Sequence, residues 1–156
     1  MGLDMYLSAK RYMSTVFRKE DGEKQEAIQK LFPELAGKAG RWGDASPVKE
    51  VSIEAGYWRK ANAIHDWFVR ECQGGEDNCG YYYVGREQLT ELKALCEQVL
   101  ADKKQAKELL PTASGFFFGS QEYDQYYFDD LEATVKIIDE CLTLPTEWDF
   151  EYHSSW

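Results

Sequence analysis

Two clusters in this chain carry the residue types that do chemistry. The first is the run Tyr57-Trp58-Arg59-Lys60-Ala61-Asn62-Ala63-Ile64-His65-Asp66-Trp67-Phe68. Read as a helix from Tyr57 to Cys72, it buries Tyr57, Ala61, Ile64 and Phe68 and turns Arg59, Asp66 and Arg70 outward. Trp58, Asn62 and His65 then fall on the border, stacked on successive turns. An aromatic plane, an amide and an imidazole in that arrangement are the groups that grip a nucleobase, and Arg59 and Lys60 beside them suit phosphates. A competing structural account has His65 bonded to Asn62 or backbone and Trp58 simply packed, a common pattern at the border of an amphipathic helix.

The second cluster is Leu109-Leu110-Pro111-Thr112-Ala113-Ser114-Gly115-Phe116-Phe117-Phe118-Gly119-Ser120-Gln121-Glu122-Tyr123-Asp124. Loops normally shed large apolar groups. Three phenylalanines between glycines therefore predict a short buried strand, delivered to a helix whose N-cap is Ser120. Such junctions are places where ligands bind. Glu122 and Asp124 in the first turn would repel a phosphate there, so a neutral ring or ribose hydroxyl against Phe and Tyr faces is the better match. If both clusters serve one ligand, they must be neighbours in space.

Covalent chemistry has thin support. His65 and His153 are the two histidines, and no GxSxG, HExxH or phosphate-binding glycine-loop pattern occurs. Thr112 and Ser114 lack an obvious base. Asp124, Asp129 and Asp130 read first as a solvated helix face, though carboxylates alone are able to hold Mg²⁺. No cofactor is expected.

The elements that must position these residues follow from periodicity. Leu3 to Met13 alternates as a strand, and a polar helix runs from about Asp21 to Leu35, with Ala27, Ile28, Leu31 and Phe32 on one face. Gly37 to Pro47 is a glycine-rich loop with Trp42 as its anchor. Val48 to Ala55 is a second strand, and Tyr81 to Val84 is a short aromatic strand or an extended lead-in to the next helix. Arg86 to Leu100 is an amphipathic helix, extended by Lys103 to Leu110 and stopped by Pro111. Ser120 to about Leu142 is another helix, and Trp148 to Trp156 a final strand. The expectation is a single α+β domain over residues 1–156, with about four helices on a small, mainly antiparallel sheet.

A chain of 156 residues with 44% hydrophobic and 15% aromatic content buries a real core. Net charge of −10 disfavours nucleic-acid backbone. An acidic face that imitates nucleic acid is a sharper account, but the acids are scattered among lysines and arginines. No apolar run is long enough to cross a bilayer, and Gly2 begins a myristoylation-like start that fails at Tyr6. Cytoplasmic location is the expectation, with Cys72 and Cys79 reduced although the turn between them would let them approach.

The blocks Met-Gly-Leu-Asp-Met-Tyr-Leu, Gly-Tyr-Trp-Arg-Lys-Ala-Asn-Ala-Ile-His-Asp-Trp-Phe-Val and Leu-Leu-Pro-Thr-Ala-Ser-Gly-Phe-Phe-Phe-Gly-Ser, with the Glu-Tyr-Asp-Gln-Tyr-Tyr after them, resemble a family of small bacteriophage and prophage accessory proteins. The resemblance spans nearly the whole chain and implies a setting inside an infected bacterium; it carries no catalytic residues. In that setting the expected role is counter-defence, by sequestering a nucleotide-type immune signal such as a cyclic oligonucleotide or ADP-ribose derivative. Trp58, Asn62, His65, Phe116, Phe118 and Tyr123 would contact base or ribose, Arg59, Lys60 and Arg86 the phosphates, and Ser120 would also belong to the binding site. A homo-oligomer would let copies share pockets. The alternatives are a protein that occludes a host defence enzyme through acidic or aromatic surface, including Tyr81 to Tyr83, and a metal-dependent hydrolase of the same nucleotide.

Overall fold

Alternation of apolar and polar side chains makes residues 4–12 a strand, and that strand sits inside a four-stranded antiparallel sheet. The computed structural model describes residues 2–115 and 118–156. Phe116 and Phe117, and with them part of the expected phenylalanine strand, lie outside the described residues. The elements are β1 (Asp4–Tyr12), α1 (Asp21–Lys30), β2 (Glu50–Arg59), α2 (Asn62–Cys72), β3 (Tyr81–Val84), α3 (Arg86–Ala101), α4 (Ala106–Leu109), α5 (Gln125–Thr143) and β4 (Asp149–Ser155). Short 3-10 turns occupy Pro33–Leu35 and Lys103–Gln105. The strand order is β2-β1-β4-β3. In β3 and β4, Tyr81 pairs with His153, Tyr82 with Tyr152 and Val84 with Phe150. The α+β class is as expected, with five helices among the described residues against about four expected.

The chain folds into two compact units, one of residues 1–9 with 53–156 and one of residues 10–52. In the larger unit Leu3 just before β1, Met5 and Leu7 from β1, and Phe150 and Tyr152 from β4 are fully buried. They share a core with Ile64, Trp67 and Phe68 of α2, Leu89, Leu92, Cys96 and Val99 of α3, and Leu131, Ile138 and Cys141 of α5. These helix positions recur at helical spacings of three, four and seven residues, which places the apolar stripes on the sheet. Gly56 marks the closest approach of α5: a Cβ there would lie 2.5 Å from Ile137 Cγ2. Burial pushes the thiols of Cys72 and Cys96 up to about 12 and that of Cys141 to about 11. Such thiols are neutral at physiological pH and are poor nucleophiles. All four cysteines are free, Cys72 and Cys79 included.

The smaller unit is held by charge where an apolar face was expected. Of α1, Asp21 and Gln25 are buried, whereas Ala27 is exposed, Leu31 is 74% exposed and Phe32 46%. Asp21 accepts from Arg11 Nη2 (2.8 Å), Arg18 Nε (3.2 Å) and the Ser14 amide (3.1 Å). Burial works to raise its carboxyl, and these donors outweigh it, so its acidity is strengthened. Gln25 donates to the carbonyls of Val48 (2.7 Å) and Met13 (3.3 Å). Asp44 accepts from Lys49, from Ser14 Oγ (2.7 Å) and from the Thr15 amide (2.9 Å). The helix ends at Lys30 because Pro33 and the extended Phe32 break it. Trp42 anchors nothing: it is 94% exposed.

Two boundaries in the larger unit differ from expectation. Tyr57, Trp58 and Arg59 belong to β2, and helix α2 starts only at Asn62. Between them Lys60 turns the chain with φ 60°, the left-handed region, while its amide donates to Leu3 C=O (2.8 Å). The second difference is α5, which begins at Gln125 and is capped by Asp124, whose carboxylate accepts from the Tyr127 amide at 3.1 Å. Ser120 is therefore not an N-cap. The segment before α5 is a loop, with no strand among its described residues.

Candidate functional site

The two chemistry-bearing clusters are neighbours. Asn62, at the first turn of α2, reaches into the loop before α5: its Nδ2 donates to the carbonyls of Phe118 (3.0 Å) and Ser120 (2.7 Å), and its Oδ1 accepts from the Ala113 amide (3.1 Å). The loop is further tied by the Tyr127 hydroxyl donating to Leu110 C=O (2.8 Å) and by Thr112 Oγ1 donating to Gln121 C=O (3.0 Å). Where the loop leans on α2 and α5 it leaves a cleft of about 270 Å³. Its walls come from the end of β2, the first turn of α2, the loop and the first two turns of α5.

The cleft has two chemically opposite ends. One carries Arg59, Lys60 and the start of α2. The N-cap position there is Ala61, which provides no side-chain acceptor. The amides of Ala63 and Ile64, in the first helical turn, are thus left with the unfilled donor capacity that suits an anion. Gly119, with φ 85°, packs directly on the Lys60 stem, where a Cβ would sit 3.2 Å from Lys60 Cβ. The other end carries Tyr126, Tyr127, Glu122, Asp124 and Asp130. Tyr126 is 79% exposed and offers an open ring. Burial, helped by Asp129 and Asp124, pushes the Asp130 carboxyl up to about 6. Asp130 thus titrates close to neutrality and is able to accept or donate a hydrogen bond.

Of the residues expected to form a site, Arg59, Lys60, Asn62 and Ser120 line this cleft. Asn62 does so with its amide already committed to the three loop contacts, so it positions the wall and is not free to read a base. Trp58 is a correction: it faces inward from β2, is 3% exposed, and donates its indole N–H to Thr134 Oγ1 at 2.9 Å. Arg86 is a second: it donates to the carbonyls of Pro145 (2.6 Å) and Trp148 (3.3 Å) and lies over the Phe150 ring, in a different hollow. Tyr123 accepts from the Thr112 amide (3.3 Å) and packs edge-on against Tyr127, outside the lining. Phe118 packs edge-on against His65 and is likewise not lining. Phe116 lies outside the described residues.

His65 is buried in an arrangement that imitates a catalytic relay. Its Nε2 lies 3.0 Å from an Asp77 carboxylate oxygen and its Nδ1 lies 2.7 Å from the Tyr152 hydroxyl. A carboxylate only accepts, so Nε2 carries the proton and Nδ1 accepts from Tyr152. That is the order of groups that activates a hydroxyl nucleophile. The hydroxyl here belongs to a side chain with no exposure, stacked on Phe68 at 4.0 Å, and burial drives its acidity far below that of a free tyrosine. No substrate atom reaches it. The chain therefore ties β4 to α2 and is structural.

Sequence reasoning passed over Tyr126 and Tyr127 as site residues and took Asp130 first for part of a solvated helix face. Their signal was the spacing of Asp130 four residues after Tyr126, which puts ring and carboxyl on one helix face. Among the described residues, no group of three or more His, Cys, Asp or Glu side chains is placed to hold a metal ion. No helix among them is long and apolar enough to cross a membrane. No known protein family, curated protein or solved structure matches the chain.

Proposed function

We propose that this protein binds a nucleotide-type small molecule in the cleft between α2 and α5 and holds it without breaking a bond. The observation that carries the reading is the polarity of the cleft. Arg59, Lys60 and the uncapped start of α2 accommodate a phosphate, and Tyr126 with Asp130 accommodates a base by stacking and by hydrogen bonding. Lys60 supports it further, since a lysine occupies a left-handed turn where glycine would be unstrained. The side chain is kept at a cost to the backbone.

A cleft of about 270 Å³ is at the small end of ligand sites, which begin at roughly 300 Å³. It encloses one base with its sugar and phosphate. A cyclic oligonucleotide or ADP-ribose derivative would project beyond it, and a second copy of the chain would cover the remainder. The resemblance to small phage proteins gives this binding a purpose: sequestration of an immune signal in the cytoplasm of an infected bacterium.

The test is a thermal-shift series with adenosine monophosphate, ADP-ribose and cyclic dinucleotides, with the ligand recovered and weighed afterwards. A ligand at 100 times its Kd stabilises by about 2.7 kcal/mol, which at roughly 2–4 °C per kcal/mol is a rise of about 5–11 °C. Tyr126→Ala and Lys60→Glu should each abolish the rise while leaving the unliganded midpoint in place. Recovery of a cleaved ligand would make the protein an enzyme. No rise with any of these ligands at millimolar concentration would end the proposal.

A further inference from the structure

The helices of the larger unit pack on one face of the sheet, and strand alternation sends the remaining side chains to the other. There Tyr57 of β2, Tyr6 of β1, His153 of β4 and Tyr81 of β3 form a row across all four strands. Ring centroids are 5.4 Å apart for Tyr57 and Tyr6, 6.0 Å for Tyr6 and His153, and 4.2 Å for His153 and Tyr81. The last two rings are parallel to within 10°. Tyr81 is 67% exposed. A continuous aromatic row that contributes nothing to the core calls for another role.

Beside the row lies a shallow hollow of about 420 Å³, lined by Tyr6, Ser8, Glu54, Tyr81, His153 and Ser155. Its chemistry is that of a cation acceptor. Glu54 is exposed and has no ion-pair or hydrogen-bond partner among the described residues. His153 Nδ1 lies 3.3 Å from Gly80 C=O, which places the proton on that nitrogen and leaves Nε2 as an acceptor in the neutral ring. The Ser8 and Ser155 hydroxyls add two more acceptors.

We propose that this sheet face docks an arginine-bearing basic segment of a protein partner, with one guanidinium stacked on the Tyr81–His153 pair and forked onto Glu54. A planar guanidinium matches parallel rings and a carboxylate together, which the compact, strongly hydrated lysine ammonium does not. Charge selects the same occupant. A net charge of −10 and the free Glu54 carboxylate oppose the phosphates of a nucleic acid. The same charge opposes a second copy of the chain on this face. The site shares no residue with the cleft between α2 and α5, so its test is independent of the ligand reading.

The test is titration of the full chain with a blocked hexaarginine peptide, against hexalysine and an eight-residue oligothymidylate, at low and at physiological salt. Binding is read by amide chemical shifts. Expected are shifts confined to the strands around Tyr81, His153 and Ser8, affinity for hexaarginine about tenfold above hexalysine, and an equal loss in Tyr81→Ala and Glu54→Gln. Tyr126→Ala, in the cleft, should bind hexaarginine as the parent does, and thermal midpoints of the two sheet variants should match the parent. Equal binding of both peptides, unaffected by Tyr81→Ala, would overturn the proposal in favour of unspecific charge attraction. Preference for the oligothymidylate would make the face a single-strand platform. Dimerisation that Tyr81→Ala abolishes would make the occupant a second copy.

Discussion

Replacing Asn62 with alanine isolates the joint that builds the cleft. Asn62 is 5% exposed and its amide makes three bonds, to the carbonyls of Phe118 and Ser120 and from the amide of Ala113. Each neutral hydrogen bond contributes about 1 kcal/mol net, and backbone groups left dry cost more. The loop partners are partly exposed, so water replaces some of what is lost. The sum is about 2–4 kcal/mol, or a midpoint lower by roughly 4–16 °C for a chain of this size. Urea denaturation of Asn62→Ala and the parent measures it, provided both transitions are two-state. Asn62→Asp supplies a second reading. It keeps an acceptor for the Ala113 amide but sets a negative charge against two carbonyl oxygens, so it should be at least as destabilised as Asn62→Ala. A loss below about 0.5 kcal/mol in Asn62→Ala, together with lost ligand binding, would refute the reasoning and return Asn62 to the role of a base-reading side chain.

Three further expectations follow from the same geometry. Trp58→Ala should cost about 3–5 kcal/mol in denaturant melts, because it empties a core position and removes the indole N–H that Thr134 Oγ1 accepts; an unchanged midpoint would put Trp58 at the surface. Asp130, with its carboxyl pushed up to about 6, keeps its proton in the folded state at pH values where the unfolded chain has lost it. Stability therefore falls as pH rises from about 4 to about 6, and Asp130→Asn should exceed the parent by about 1–2 kcal/mol at pH 8, after allowance for partial exposure, and match it near pH 4; equal curves at pH 8 would contradict the burial argument. Lys60→Gly relieves a left-handed residue by about 1 kcal/mol and loses a similar amount to chain entropy, so its stability should stay within about 0.5 kcal/mol of the parent while nucleotide-induced stabilisation disappears; retained stabilisation would remove Lys60 from the site.

The places where sequence and structure part company share a cause. Tyr57, Trp58 and Arg59 fit a helical stripe by spacing, yet they extend β2 because α5 packs over Gly56 and takes Trp58 onto Thr134, a partner 76 residues away in sequence. Ser120 and Asp124 are both competent N-caps by type, and the tether from Asn62 to the loop carbonyls holds Ser120 in the loop. Ile28, Leu31 and Phe32 look like a buried face, but the buried side of α1 is chosen by Asp21 and Gln25, whose partners lie on other segments. Local pattern is blind to partners distant in sequence.

What the amino-acid order determined by itself is the set of elements whose periodicity has one solution. The alternation of Leu3, Met5 and Leu7 makes β1, the alternating Trp148, Phe150 and Tyr152 mark β4, and Leu89, Leu92, Cys96 and Val99 make α3, whereas Tyr81–Val84 becomes β3 by pairing with β4. That Asn62 and the loop before α5 are neighbours was only a condition of the single-ligand reading, and the tertiary contacts met it. Only the tertiary structure decided which side chains of that neighbourhood are spent on architecture and which stay free. His65 and Trp58 are consumed by Tyr152, Asp77 and Thr134, while Tyr126 and Asp130 are left facing the cleft. The physical reason is that a polar group leaving water must find a partner, and where that partner lies is settled by packing.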